Sequence, residues 1–411
     1  MDILIEELKG GLWVVALEKN TLQGLEFDPP AEEVRWGSIY WAKVARIDKA
    51  QDAVFVNLDG DNIGILYNAD VRITQKDGSY KNSGGKDIGK ILQPGQMIPV
   101  QAKSGYLPKM PDQPYAKSDG KMPRVSMNIM LPGRFLIYAP MEKENRISQR
   151  IKDKKLRAQM QIMMDSLGGQ SQGCILRAAG ADTQTDMLLR ESKILSRAWQ
   201  SIQQYLEGDM PQLIMAGPDA IQRTLSDQAT KNIENIEVTT MDHYQLAEEW
   251  CDIYAPDLVT KVHPVEIPGG ANDFGLFEHY DIIGQIEGLL APYALLDRGA
   301  TVIIQEAAAI TAIDVNTAAD TRGHLAVNLD AAQEIARQIR LRNMGGAFII
   351  DFLRLKNAKE KDKLFKALEG YFNDDPCTVQ IHGWSNLGMI EVTRQRRTPA
   401  LAERFASTME E

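Results

Sequence analysis

Apolar and polar residues alternate over much of the first hundred positions, and this two-residue period predicts strands. Within residues 1–35 the segments LIEEL and LWVVALEKN predict a hairpin, which DPPAEE then ends. From Gly37 the same period returns in GSIYWAKVARI, AVFVNLDG and IGILYNADV, with Gly and Asp at the turns. Short strands at this spacing predict a small antiparallel barrel.

Two polar inserts interrupt the pattern, at residues 76–90 and 104–121. Both are rich in Gly, Lys and Ser, so they predict mobile loops. Their basic character suits contact with phosphates, although solvated loops without a partner fit the composition equally well.

Helical periodicity begins in the middle of the chain. RISQRIKDKKLRAQMQIMM predicts one helix, and SKILSRAWQSIQQYLEG predicts a second that Gly208 ends. QGCILRAAG, between them, predicts a short strand. Residues 219–289 predict shorter elements, the last of them the helix HYDIIGQIEGLLA.

The C-terminal part alternates strands with helices. TVIIQE and AITAIDVN predict paired strands, and the helix LDAAQEIARQIRLRN follows until Gly345 and Gly346. GAFIIDFL predicts a strand, KDKLFKALEGYF a helix, and TVQIHG and GMIEVTRQ the last strands. This order predicts an α/β layer, so the fold class is α/β with several domains.

Length and composition narrow the class of protein. A chain of 411 residues exceeds one hydrophobic core, and its 44% apolar and 25% charged residues are ordinary for a folded protein. No apolar run approaches the roughly 20 residues of a membrane span, and MDILIEELKGG lacks the basic start of a signal peptide. We therefore expect a cytoplasmic protein without a membrane span. The net charge of −10 means that nucleic acid would need local basic patches.

The three cysteines, Cys174, Cys251 and Cys377, are isolated and form no CxxC pair. Their spacing favours a reducing compartment and argues against a disulfide framework or a structural zinc site. The five histidines lack metal-ligand spacing, and GxSxG, Walker and GxGxxG elements are absent from strand–helix junctions. Serine-hydrolase and nucleotide-hydrolysis chemistry therefore have no support.

Two acids stand out because each interrupts a run of Ile, Val, Ala and Phe that predicts a buried strand. They are Asp314 in AITAIDVN and Asp351 in FIIDF. A buried lone carboxylate is costly unless it is paired, hydrogen-bonded, protonated or bound to a metal. Their separation of 351 − 314 = 37 positions is enough for a strand–helix–strand crossover that brings the two acids together, which favours a shared metal.

Asn316 lies two positions after Asp314, so its side chain shares the same strand face. It can donate to a carboxylate or offer its oxygen to a cation, and such hard oxygen ligands fit Mg²⁺ or Mn²⁺ rather than zinc. The alternative is a buried Asp–Arg pair, with Arg340 or Arg342 as the partner.

Arginines recur around the two acids, as a phosphodiester substrate would require: Arg322, Arg337, Arg340, Arg342, Arg394, Arg396 and Arg397. The alternative is pairing with acids such as Glu334 on a solvated helix face, which suits Arg337 better than the RQRR run. Phe55, in AVFVNL, is either a core residue or a ring on the barrel face that stacks a base.

Longer stretches resemble the bacterial ribonuclease E/G family across nearly the whole chain. The most specific match is AITAIDVNTAADTRGHLAVNLDAAQEIARQIRLRNMGGAFIIDF, followed by TVQIHGWSNLGMIEVTRQRRTPAL. GSIYWAKVARIDKAQDAVFVNLDGDNIGILYNADV resembles the family's OB-type RNA-binding barrel, and GRFLIYAPMEKENRISQRI with GCILRAAG resembles its 5′-end sensor.

The resemblance implies an architecture of four parts. Residues 1–35 and 219–289 would form a ribonuclease H-like subdomain, into which the OB-type barrel at 36–127 is inserted. A 5′-sensor-like subdomain would occupy 128–218, and a deoxyribonuclease I-like catalytic subdomain 290–411.

The resemblance also implies residue roles. Asp314 and Asp351 match the metal-binding aspartates, and Asn316 matches the asparagine that supports them. Phe55 matches an aromatic residue of the barrel, and Arg177 matches the arginine that contacts a 5′-monophosphate. The family pattern is not kept everywhere: Ala178 replaces a hydroxyl residue, Ile65 the second barrel aromatic and Arg354 an acid. The zinc-link cysteines and the scaffold tail have no counterpart, so we expect any homo-oligomer to form without a zinc link.

The sequence and this resemblance together predict a Mg²⁺-dependent endoribonuclease, with Mn²⁺ as a substitute. The resemblance implies that it cuts single-stranded RNA and leaves a 5′-phosphate. Asp314, Asp351 and Asn316 would form the catalytic site; Phe55, Arg177, Arg322, Arg394, Arg396 and Arg397 would bind RNA. The alternatives are a non-catalytic RNA-binding regulator on the same scaffold and, third, a deoxyribonuclease or other metal phosphodiesterase.

Overall fold

The computed structural model describes residues 1–8, 10–30, 32–105, 122–167, 172–265 and 275–406. They fall into two compact units. The first contains the described parts of residues 1–30 and 265–411, and the second contains those of residues 31–109 and 120–264. Both units mix helices with strands, which confirms the α/β class; the four-part division stays a prediction.

The first three strands form an antiparallel sheet in the first unit, as the alternating pattern predicts: β1 Asp2–Leu8, β2 Gly11–Glu18 and β3 Thr21–Asp28. Trp13 and Phe27 stack on this sheet with ring centroids 4.0 Å apart. Both rings belong to a hydrophobic core that the C-terminal helices of the same unit complete.

The next strands lie in the second unit: β4 Ile39–Asp48, β5 Ala53–Asn57, β6 Ile63–Tyr67, β7 Arg72–Thr74, β8 Tyr80–Asn82, β9 Met97–Ala102 and β10 Arg124–Ser126. Five of them close into a barrel in the order β4-β5-β6-β10-β9, because β9 pairs back onto β4. This closed barrel confirms the sequence prediction of a small barrel and is consistent with an OB-type fold, but it is not antiparallel throughout, because β10 runs parallel to β6. β7 and β8 form a separate hairpin, so the insert at 76–90 contains a strand; most of the second insert lies outside the described residues.

Where the structure describes it, the rest of the second unit contains short strands and four α-helices: β11 Leu131–Pro132, β12 Leu136–Tyr138, β13 Arg146–Ile147, α1 Lys154–Ser166, β14 Cys174–Leu176, α2 Thr185–Gln203, β15 Gln212–Met215, α3 Ala220–Asp227, β16 Asn235–Val238, α4 Met241–Tyr254 and β17 Val262–Pro264. The helix predicted from Arg146 begins later, at Lys154. Its start is set by Asp153, whose carboxylate accepts a hydrogen bond from the Leu156 N–H at 2.8 Å.

The remaining elements belong to the first unit: α5 Gly275–His279, α6 Ile283–Gly288, β18 Tyr293–Leu295, β19 Thr301–Glu306, β20 Ile310–Asn316, α7 His324–Leu341, β21 Gly346–Asp351, α8 Ala358–Tyr371, β22 Val379–Trp384, β23 Ile390–Arg394 and α9 Leu401–Ala406. The six strands form one sheet in the order β18-β19-β20-β21-β23-β22. Apolar side chains of α7 and α8 pack on one face of this sheet and form its core, while alternate residues point to the other face. We call this other face the open face.

Within the described ranges, the helices are all too short or too polar to cross a membrane.

Candidate active site

The two acids lie side by side because of the β20–α7–β21 crossover. β20 and β21 are parallel neighbours, and the register pairs Asp314 with Asp351. Each acid stands at or near the carboxyl end of its strand, which is where open α/β sheets place their ligand sites. The sequence prediction that a crossover brings these acids together is therefore confirmed.

Both carboxylates are exposed, so the prediction that they lie in buried strands is wrong. Along β20 the buried residues Ile313 and Val315 alternate with exposed Asp314, and Asp351 likewise follows buried Ile350. The helices α7 and α8 cover only one face of the sheet, and the acids point to the open face. Their proximity therefore needs no burial to explain it; a polyvalent cation would offset the repulsion between them.

Asn316 supports Asp314 directly. Its Nδ2 donates a hydrogen bond to Asp314 Oδ2 at 2.9 Å, as same-face placement two residues apart allows. This bond fixes one carboxylate oxygen and leaves the other available for a ligand.

The Asp–Arg alternative is wrong. Across the described part of the chain, neither Asp314 nor Asp351 forms an ion pair. Arg342 donates to Gln338 Oε1 at 2.6 Å and to the Ala291 carbonyl, and Arg340 donates from Nε to the Gln23 carbonyl.

The donor set suits a magnesium ion. Among the described residues, no three or more His, Cys, Asp or Glu side chains come together as a metal cage. Mg²⁺ needs no such cage, because it is usually bound through one or two carboxylates together with waters and substrate phosphates. Asp314 and Asp351 supply that number of carboxylates, and a zinc site would require more nitrogen or sulfur ligands.

The chain after Asp351 is held in place by α7. Buried Asn328 donates to the Leu353 carbonyl at 2.8 Å and accepts from the Leu353 N–H at 3.0 Å. His324, the first residue of α7, hydrogen-bonds through Nδ1 to the Arg354 carbonyl at 2.9 Å. These contacts fix the backbone that leaves the site.

The arginines predicted to bind RNA in this unit all have carboxylate partners. Arg322 bonds to Asp320 and to Asp330, at 2.6 Å in each case, and this pairing raises the pKa of its guanidinium. Arg394 is 3% exposed and pairs with Asp375 at 2.8 Å. Their RNA contacts stay predictions, but in this structure both side chains hold the protein together.

The other two arginines of the RQRR run are similar. Arg396 pairs with Glu403 at 3.1 Å and Arg397 with Glu26 at 3.2 Å. Both are partly exposed, so a phosphate would have to share their donors with these acids. These arginines of the run therefore form ion pairs within the first unit.

Phe55 lies on the outside of the barrel and outside the barrel's core cluster. The Arg46 guanidinium stands 4.3 Å from its ring centroid. Ile65, its register partner, is 8% exposed and offers no ring. Tyr67, however, lies two residues after Ile65 on the same strand face, and the Arg124 guanidinium stands 5.0 Å from its ring centroid. Sequence reasoning missed Tyr67, although the two-residue period of the strand places it beside position 65.

The Arg177 guanidinium already has hydrogen-bond and charge partners within the second unit. It donates to the Gly133 carbonyl at 2.6 Å and to the Ser226 carbonyl at 3.1 Å, and it lies 3.5 Å from a carboxylate oxygen of Asp227. Contact with a 5′-phosphate stays a prediction, and it would require a phosphate to compete with Asp227.

Comparisons with known proteins all point to the ribonuclease E/G family. A model of the ribonuclease E/G family matches residues 130–397. The chain is 28% identical to ribonuclease E of Haemophilus influenzae over 406 residues, which is 96% of this chain and 41% of that protein. It is 26% identical to ribonuclease G of Salmonella typhimurium, over 96% of this chain and 80% of that protein. Ribonuclease E of Escherichia coli is 28% identical, with 36% of its length covered. The chain thus spans less than half of these ribonuclease E proteins.

Proposed function

We propose an activity from one premise: this chain belongs to the ribonuclease E/G family. The proposed activity is Mg²⁺-dependent endonucleolytic cleavage of single-stranded RNA, in RNA processing or decay, leaving a 5′-phosphate. The observation that carries the proposal is the register of Asp314 with Asp351 on the open face. Two exposed carboxylates that lie side by side, with no ion pair among the described residues, are the donor set that a magnesium-assisted phosphodiester hydrolysis needs.

The residues take the following roles. Asp314 and Asp351 would hold Mg²⁺, and Mn²⁺ would substitute for it. When bound, the ion supplies Lewis acidity toward a phosphate oxygen and lowers the pKa of an attacking water. Asn316 holds Asp314 in one orientation through its 2.9 Å hydrogen bond. The barrel binds the single strand through Phe55 and the arginine beside it, which raises the local concentration of substrate.

The direct test replaces each acid by its neutral isostere. Asp314→Asn and Asp351→Asn should each abolish Mg²⁺-dependent cleavage of a fluorescent single-stranded RNA. Because both side chains are exposed, the variants should keep their melting temperatures. Gln305→Ala, an exposed change on neighbouring β19, serves as the control. If either Asn variant cleaves the RNA at the wild-type rate, the assignment of that aspartate as a magnesium ligand is wrong.

The competing functions give different outcomes in the same assay. A non-catalytic RNA-binding regulator would bind the RNA in EDTA and yield no product when Mg²⁺ is added. A deoxyribonuclease would cut DNA of the same sequence as readily as RNA, because only the 2′-hydroxyl distinguishes the two substrates. The paired acids argue against the regulator, since a pure binder of a polyanion gains nothing from two adjacent carboxylates.

A further inference from the structure

One exposed cation that follows Asp351 in the chain differs from the four arginines of this unit that are predicted to bind RNA. Arg354 comes three residues after Asp351, and its side chain is exposed. Within the described residues it forms no ion pair, whereas Arg322, Arg394, Arg396 and Arg397 are each paired with a carboxylate. Of these five arginines, Arg354 is therefore the one that a substrate phosphate could bind without displacing a carboxylate of the protein.

The backbone that carries Arg354 is fixed. Leu353 exchanges two hydrogen bonds with the side-chain amide of Asn328, which is completely buried in α7. The Arg354 carbonyl is bonded to the His324 ring at 2.9 Å. A side chain that starts from such a fixed backbone loses less entropy on binding a ligand than one on a loose loop.

The location suits a phosphate. Arg354 follows the end of β21, at the carboxyl edge where the parallel strands β20 and β21 place the two acids. The same contacts place its backbone beside the first turn of the 18-residue helix α7, whose N-cap residue, Gly323, has no side chain that could cap the helix. The positive end of a helix dipole and a guanidinium both favour an anion there.

We propose that Arg354 binds a phosphate of the RNA backbone within one nucleotide of the bond that is cut. The planar guanidinium donates two parallel hydrogen bonds to two oxygens of one phosphate. This bidentate contact fixes the RNA strand relative to Asp314 and Asp351. This inference rests on the proposed function for the identity of the substrate, but the contact itself is a binding property that can be measured without turnover.

Kinetics give the first test. Arg354→Ala should lower kcat/KM for a single-stranded RNA by about tenfold or more, because a charge-assisted, bidentate contact is lost. Arg354→Lys should recover only part of this loss, since the lysine ammonium keeps the charge but cannot form the bidentate hydrogen bonds. Lys363→Ala is the matched control, because it removes an exposed positive charge on α8, which covers the opposite face of the sheet. If Arg354→Ala and Lys363→Ala give the same kcat/KM, the proposal is wrong.

A chemical change in the substrate locates the contact. A neutral methylphosphonate is placed one linkage from the cleavage site, on either side, with 2′-O-methyl ribose to keep it stable. At one of these linkages the neutral group should slow wild-type cleavage and should slow Arg354→Ala no further. The control is the same 2′-O-methyl RNA with an ordinary phosphate. Equal losses for both proteins at both linkages would contradict the assigned position.

Binding separates this proposal from the proposed function. In an Asp351→Asn background, Arg354→Ala should reduce the slope of log binding constant against log salt by about one, as expected for one phosphate contact. If wild-type protein fails to cut RNA and the slope still falls, the proposed activity is wrong and the phosphate contact stands. If wild-type protein cuts RNA and the slope and kcat/KM are unchanged, only the role of Arg354 is overturned.

Discussion

The side-chain amide of Asn316 orients the Asp314 carboxylate. Among the described residues, Asn316 Nδ2 is the one group that donates a hydrogen bond to this carboxylate, at 2.9 Å. Groups that orient a metal-binding side chain in this way typically contribute 10–100-fold to metal affinity or activity. We therefore expect Asn316→Ala to reduce cleavage within that range, with most of the loss reversed at high Mg²⁺ concentration.

The measurement is a Mg²⁺ titration of the cleavage rate, together with thermal unfolding. Asn316→Ala should shift the titration midpoint upward and leave the melting temperature close to that of the wild type, because Asn316 lies outside the core. Asn316→Asp is the informative second variant, since it adds a third negative charge and removes the donor. A midpoint that does not move in either variant would show that Asn316 has no part in ion binding.

At the scale of elements, α2 is joined to β12 by a buried acid. Glu191 of α2 is 4% exposed and accepts hydrogen bonds from the N–H groups of Phe135 and Leu136, at 3.0 and 3.2 Å. It lies so close to Gly133 that a side-chain carbon there would stand 1.9 Å from a Glu191 oxygen, so any larger residue would displace this carboxylate. Burial raises the pKa of Glu191 to about 7, although the two backbone hydrogen bonds act to lower it.

This raised pKa predicts how stability depends on pH. Between the ordinary pKa of 4.5 and about 7, the folded protein keeps a proton on Glu191 that the unfolded chain has lost. The free energy of unfolding should therefore fall as pH rises through this window, by up to about 3 kcal/mol from this one group. Glu191→Gln does not titrate, so its stability should decline less over the same window.

Urea unfolding at pH 5, 6, 7 and 8 measures the effect. Glu207→Gln, an exposed change in the same unit, should keep the slope of the wild type. Parallel pH profiles for wild type and Glu191→Gln would mean that burial does not retain the proton on Glu191.

The elements also show what a sequence can and cannot predict. Runs of apolar residues predict β20 and β21, and the spacing of the two acids predicts the crossover that pairs Asp314 with Asp351. Their exposure was missed, because a run of apolar residues does not reveal whether helices cover one face of a sheet or both. The partners of Arg322 and Arg394 were missed for a related reason: ion pairs depend on side-chain positions that only the folded backbone fixes.

At the scale of the whole molecule, the barrel belongs to the second unit and the paired acids belong to the first. A chain with net charge −10 repels RNA at long range, so the proposed RNA binding depends on local contacts, for which the Arg46–Phe55 pair is the candidate. Capture of the strand and cleavage of the bond should therefore be separable by mutation. Phe55→Ala should weaken binding of single-stranded RNA about tenfold or more, because stacking of one base is lost.

The same variant should raise KM and leave kcat at saturating RNA close to that of the wild type, since Asp314 and Asp351 are untouched. Asp351→Asn should show the reverse pattern, with binding retained and turnover lost. Tyr67→Ala is the companion variant, because its ring lies on the same strand face as position 65 and is paired with Arg124 at 5.0 Å. Fluorescence anisotropy in EDTA gives the dissociation constants, and cleavage in Mg²⁺ gives kcat and KM. If Phe55→Ala lowers kcat and binding in equal proportion, the barrel contributes to the chemical step itself, and the division between capture and cleavage does not hold.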